Sequence, residues 1–176
     1  GSSATILIHN HHLSFWNITK DDLYALACKN TPDLQHYELR NMSDVRKELL
    51  SDDDSSAILA PPAPFPMYVL SKHTKLNGSA CILYQDLLKN FAEHLRSDLY
   101  ILPSSIHEVL IIPVNSFATP ADPLLSSANS PADTRQQSYR ELSEMVQEVN
   151  ATQLSTEDIL SDHVYYYSRE SSRITM

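Results

Sequence analysis

Ser105, His107 and Glu108 stand close together in "LYILPSSIHEVLIIP" (99–113), between two apolar runs. In hydrolases these residue types serve as nucleophile, general base and orienting carboxylate. That chemistry needs the hydroxyl within hydrogen-bond reach of an imidazole nitrogen, and triads meet the need by converging from separate segments. Residues two apart in one turn rarely align for proton transfer between themselves. The flanking runs 99–103 and 108–114 favour a β-hairpin in which Pro103 ends the ladder and the serine hydroxyls bond local backbone groups. A turn is the favoured reading, with a binding-site lip and a catalytic group as the alternatives. A turn has no evident need of His107 and Glu108, which keeps a functional reading open.

A second cluster is "HNHH", where His9 and His11 would share one face of a strand and His12 the other. A His-x-His pair is a style of metal ligation, with Glu108 or Asp22 as possible further ligands, but a metal site draws three or four ligands from different segments. The other reading is an exposed, hydrophilic strand end. A nuclease built on His-Asn-His would need a basic DNA face, which an acidic chain lacks. The carboxylates form no convincing acid/base pair: Asp21 and Asp22 suit a helix N-terminus, Asp52 to Asp54 a loop, and Glu141, Glu144 and Glu148 a solvated helix face. For binding, the residues are Tyr165, Tyr167 and Arg169 in "VYYYSRESSR", since tyrosine and arginine are enriched at interface hot spots, and Trp16, the single tryptophan. Their competing role is core packing, with Phe15 and Trp16 stapling the entry of a helix.

The elements that must position these residues follow from periodicity. Strands are expected at 4–10, 37–41, 67–71, 79–84, 99–103, 108–114 and 163–169, the third and fourth joined as a hairpin by Asn77-Gly78. Helices are expected at 19–30, capped by Thr19, at a short stretch after Ser43, at 86–96 and at 134–151. Hairpins between neighbouring strands favour an α+β fold, a largely antiparallel sheet of five to six strands with the helices 19–30, 86–96 and 134–151 packed on it. The proline-rich 51–66 stretch and the 115–133 stretch read as flexible loops. Residues 1–3 read as a cloning scar and 4–176 as one domain, the C-terminal part of a longer protein.

Composition limits the function classes. Hydrophobic residues at 42% and charged residues at 20% match ordinary globular usage, so a packed core is expected. A net charge of −9 argues against nucleic acid and against an anionic membrane surface, both of which call for a basic face. No run reaches the roughly 18 apolar residues of a membrane span. Apart from Gly1 the chain's one glycine is Gly78, so neither a P-loop nor a dinucleotide-binding turn can be built. No cofactor is expected. Two cysteines, Cys28 and Cys81, are too few for a disulfide framework and suit a cytoplasmic setting.

The strings "ATILIHN", "LSFWNITKDDLYALACKNTP", "MYVLSKHTKLNGSACILY", "DLYILPSSIHEVLIIPV" and "ELSEMVQEVNATQLSTEDILSDHVYYYSR" resemble, in order, a bacterial family from anaerobic gut bacteria, domain of unknown function 5688. "LYILPSSIHEV" is the most specific of them. The hairpin-helix-hairpin core is also faintly similar to an uncharacterised bacterial family named after the protein YtpQ. The resemblance implies the order of the fold and a bacterial origin, and no activity. The expected function is therefore a binding module for an unknown protein partner. The rivals are a hydrolase or metal-dependent enzyme using His9, His11, Ser105, His107 and Glu108, and a structural subdomain supporting a further N-terminal region.

Overall fold

The computed structural model describes residues 6–51, 65–103, 105–117, 131–152 and 154–176, the side chains of 49–51 and 131–134 excepted. It divides into two compact units, Gly1–Gln35 and His36–Met176.

The N-terminal unit holds α1 (Asn10–Trp16) and α2 (Lys20–Leu34). Of the strand expected at 4–10, residues 6–9 are irregular and join no sheet and Asn10 opens α1, because alternating apolar residues make a strand only where a neighbouring strand completes the ladder; residues 4 and 5 lie outside the described residues. Thr19 caps α2 as expected. Its Oγ1 accepts from the Asp22 amide at 3.1 Å, while its own amide donates to Asp22 Oδ2 at 3.0 Å. Those bonds hold the Asp22 carboxyl below the usual carboxylate range. α2 runs past its expected end at Asn30 and contains Pro32. Proline's fixed φ suits a helix, and the missing amide falls in the final turn, where Gln35 N–H closes on the Thr31 carbonyl at 2.8 Å.

The second unit carries β1 (Tyr37–Asn41), α3 (Met42–Ser51), β2 (Tyr68–Lys72), a 3₁₀ turn (Gly78–Leu83), α4 (Leu87–Leu95), β3 (Leu99–Leu102), β4 (Val109–Pro113), α5 (Pro131–Thr152), β5 (Tyr165–Ser168) and β6 (Arg173–Thr175). The six strands form one antiparallel sheet in the order β1-β2-β4-β3-β5-β6, so the fold class is α+β. The β3–β4 hairpin lies at its centre. Period two sends Leu99, Ile101, Val109 and Ile111 to one face, against Leu87, Leu88 and Ala92 of α4. Tyr100, Leu102 and Ile112 go to the other, against Leu142 and Val146 of α5. Both faces are covered, which is why "LYIL" and "VLIIP" read as continuous apolar runs. Each fully buried Leu or Ile contributes about 1.5–3 kcal/mol.

Two expectations are corrected here. Asn77-Gly78 does not turn a hairpin. Asn77 is left-handed (φ 53°) but Gly78 is not, so a type I′ turn cannot form, and 78–83 coils as a 3₁₀ helix beside β2. Nor is the strand expected at 163–169 the last, since β6 follows β5 and pairs with it through Tyr167↔Ile174. Of the helices expected on the sheet, 86–96 and 134–151 are α4 and α5; that at 19–30 belongs to the N-terminal unit. The expected loops lie mostly outside the described residues, at 52–64 and 118–130. No helix among the described residues is long and apolar enough to cross a membrane.

Ile101→Ala and Ile112→Ala empty one side each of the central hairpin. Each should cost about 2–5 kcal/mol in urea unfolding, while Leu76→Ala, at an exposed position, should stay within about 0.5 kcal/mol. Equal small effects at all three would contradict the two-faced core.

Candidate functional site

The knot between β3 and β4 is held by two segments far from it in sequence. The His107 carbonyl accepts from the Gly78 amide at 3.0 Å and from Ser71 Oγ at 2.8 Å. The Ile106 carbonyl accepts from the Ser79 amide at 3.2 Å and Ser79 Oγ at 2.6 Å. From the other side, the Ile106 amide donates to the Asp158 carbonyl at 2.9 Å, and Ser105 forms an isolated antiparallel bridge with Ile159. Gly78 is required by this closeness. A Cβ there would lie 2.3 Å from Ser71 Oγ, 2.5 Å from the His107 carbonyl oxygen and 2.6 Å from the Lys72 nitrogen. Two of those three atoms are backbone and cannot swing aside.

The same geometry decides what His107 can do. Its Nδ1 accepts from the Asn77 amide at 3.2 Å, which in the neutral ring leaves the proton on Nε2. Nε2 faces Asp158 Oδ1 at 3.4 Å, and Asp158 Oδ2 accepts from Ser155 Oγ at 2.7 Å. Both imidazole nitrogens are therefore engaged. Ser105 is buried and its Oγ accepts from the His107 backbone amide at 3.0 Å, so serine and histidine meet through the backbone, not through the imidazole. Glu108 is exposed, and His107's carboxylate is Asp158. Sequence reading missed Asp158 because a residue about fifty positions away carries no local signal of the contact. As arranged, the His107 imidazole has no free lone pair with which to take a proton from Ser105.

The tyrosines divide as alternation requires. Tyr167 is buried and Tyr165 partly buried on the α4 side of the sheet, while Tyr166 faces α5. Tyr166 donates its hydroxyl proton to Asp98 Oδ2, and Asp98 Oδ1 accepts from the Arg169 amide at 2.9 Å. Arg135 lies over the Tyr166 ring, 5.1 Å from its centroid. Burial, then the Asp98 carboxylate, pushes the Tyr166 phenol up to about 12; burial and the Cys81 thiol do the same for Tyr84, also to about 12. Asp98 is a second residue that sequence reading missed. Arg169 and Trp16 are exposed.

His9, His11 and His12 come together at the start of α1, with ring centroids 4.0–5.8 Å apart. His12 Nδ1 accepts from the His9 amide at 2.9 Å. A neutral imidazole ligating through Nε2 carries its proton on Nδ1, so His12 cannot bind a metal and keep that bond. The described residues include no group of three His, Cys, Asp or Glu arranged to hold a metal ion. Asp22 does not join His9 and His11, being taken by Thr19.

The model of a family of unknown function, DUF5688, matches residues 1–123 and 131–169. The chain belongs to DUF5688. No curated protein and no solved structure matches it. The DUF5688 match takes in the whole knot and its clamps, the histidine cluster, Trp16 and β5, whereas β6 lies beyond it. The break at 124–130 falls inside the 115–133 stretch read as a loop.

Two outcomes follow for this DUF5688 chain. Gly78→Ala should destabilise the fold by about 1–3 kcal/mol through overpacking, and His107→Ala by less, about 0.5–1 kcal/mol, because the Asn77 amide and the Asp158 carboxylate that lose it are open to water, whereas Glu108→Ala should be nearly neutral. Urea unfolding measures all three, and a neutral Gly78→Ala would contradict the clamp. In a phenolate absorbance titration, Tyr84 and Tyr166 should ionise late, near pH 12. The raised values favour the protonated phenol in the fold. Its stabilisation is full below the ordinary value of 10 and is lost as the pH rises through 12. Tyr166→Phe should remove one late phenol.

Proposed function

We propose that this DUF5688 chain is a protein-binding module of the bacterial cytoplasm, and that the apolar side chains of its N-terminal unit make the contact. One observation carries the reading: neither α1 nor α2 has a buried residue, and Phe15 is 86% exposed, with Trp16, Tyr24, Leu26 and Leu34 also exposed. Helices of seven and fifteen residues are marginal in water unless an apolar face is packed, so these side chains call for a partner. Aromatic anchors dominate such contacts. Tyr165 and Tyr167 lie within the sheet, which moves the binding role to Trp16 and its neighbour Phe15, with Arg169 as a separate exposed group. Cys28 and Cys81 are unpaired, which suits a reducing compartment. The net charge of −9 argues against nucleic acid and anionic membrane as the partner.

A photo-crosslinking amino acid at Phe15, in the chain expressed in its native host, should yield an adduct with a distinct protein. The same probe at Lys89, exposed on α4, should not. Adducts confined to the chain itself, or identical adducts from both positions, would overturn the reading.

A further inference from the structure

Asn77-Gly78 is the chain's one asparagine–glycine pair, and it carries a chemistry separate from its turn signal. In an open chain the deprotonated amide nitrogen of the following residue attacks the side-chain carbonyl carbon of asparagine. A five-membered succinimide forms and ammonia leaves. Water then opens the ring to aspartate or to isoaspartate, in which the main chain runs through Cβ. Glycine as the following residue has no side chain to hinder the attack. Asn77 is exposed, so water reaches it.

The fold withholds what the reaction needs. The attacking nitrogen must lose its proton, and the Gly78 N–H is bound to the His107 carbonyl at 3.0 Å. Ring closure needs Cβ and the Gly78 nitrogen on the same side of the Asn77 Cα–C bond. At Asn77, with φ 53° and ψ 37°, tetrahedral geometry puts them nearly opposite each other. Turning that bond is resisted on both sides. The Asn77 amide donates to His107 Nδ1 at 3.2 Å, and Gly78 is buried where even a Cβ would collide with Ser71, Lys72 and His107.

We propose that Asn77-Gly78 is a self-modification site that His107 holds shut. Local opening of the contacts to 106 and 107 frees the Gly78 nitrogen. It bonds to Asn77 Cγ as the bond from Cγ to the side-chain nitrogen breaks, and that nitrogen leaves as ammonia. Water then cleaves one of the two bonds to the ring nitrogen. Cleavage of the new bond gives aspartate, which keeps the main-chain path and both amides held by His107. Cleavage of the original peptide bond gives isoaspartate, with one more main-chain carbon between those two amides. The clamp has no room for that carbon, so a transient opening becomes a permanent one.

Peptide mapping by mass spectrometry of the full chain, kept in mildly alkaline buffer, tests this, with electron-transfer fragmentation separating isoaspartate from aspartate. In urea, position 77 should convert faster than the other asparagines. In the native chain it should convert at least about tenfold more slowly than in urea, by a factor that tracks protection of the Gly78 amide in hydrogen exchange. Ser71→Ala combined with Ser79→Ala removes two side-chain donors to the clamp without touching 77–78. It should speed both Gly78 exchange and conversion while the circular dichroism stays native. The comparison of native chain with urea needs no variant, and equal rates there would overturn the proposal. So would a position 77 no faster than the other asparagines in urea, or a folded double variant with faster Gly78 exchange and unchanged conversion.

Discussion

The second unit depends on two backbone carbonyls, those of Ile106 and His107, each accepting two donors from the segment 71–79. A buried carbonyl left unpaired is costly, and here both lone-pair directions of each oxygen are taken. The four bonds tie the turn of the central hairpin to the tail of β2 and so set how β3 and β4 stand between their neighbours. From that register both faces of the sheet follow, with Ile101 and Ile111 under α4 and Tyr100 and Ile112 under α5. Gly78 is where the approach is tightest, and it is the one place in this unit where a missing side chain is a structural requirement.

The clamp also determines the chemistry. A serine, a histidine and an acid do come together, which is the composition of a triad, yet each polar atom is committed to holding the chain. Ser105 Oγ bonds an amide, His107 Nδ1 bonds another, and Nε2 turns to Asp158. Recognising a triad by residue type alone would mistake a crosslink between three segments for a site. In the N-terminal unit, by contrast, Phe15, Trp16, Tyr24, Leu26 and Leu34 are exposed.

Much of this was legible in the sequence wherever the signal is local. The apolar runs at 99–102 and 109–113, the Thr19 cap and the helical spacing of Leu142 and Val146 all led to the elements observed. What failed were the features decided by distant partners. "ATILIHN" alternates like a strand, but its residues 6–9 join no sheet. Asn77-Gly78 carries a strong turn signal, yet its conformation is decided by the carbonyls at 106 and 107 that Gly78 and Ser79 must reach. β6 was missed because "RIT" is too short to show a period, and it forms by pairing with β5. For the same reason Asp98 and Asp158, which orient Tyr166 and His107, looked like any other surface acids.

His107 is a structural crosslink with no imidazole lone pair to offer a substrate. Nitrogen NMR of its imidazole tests this most directly, because it reads the position of the proton. Neutral His107 should carry its proton on Nε2, with Nδ1 unprotonated and coupled across a hydrogen bond to the Asn77 amide. A neutral ring protonated on Nδ1, with Nε2 bare and open to solvent, would contradict it.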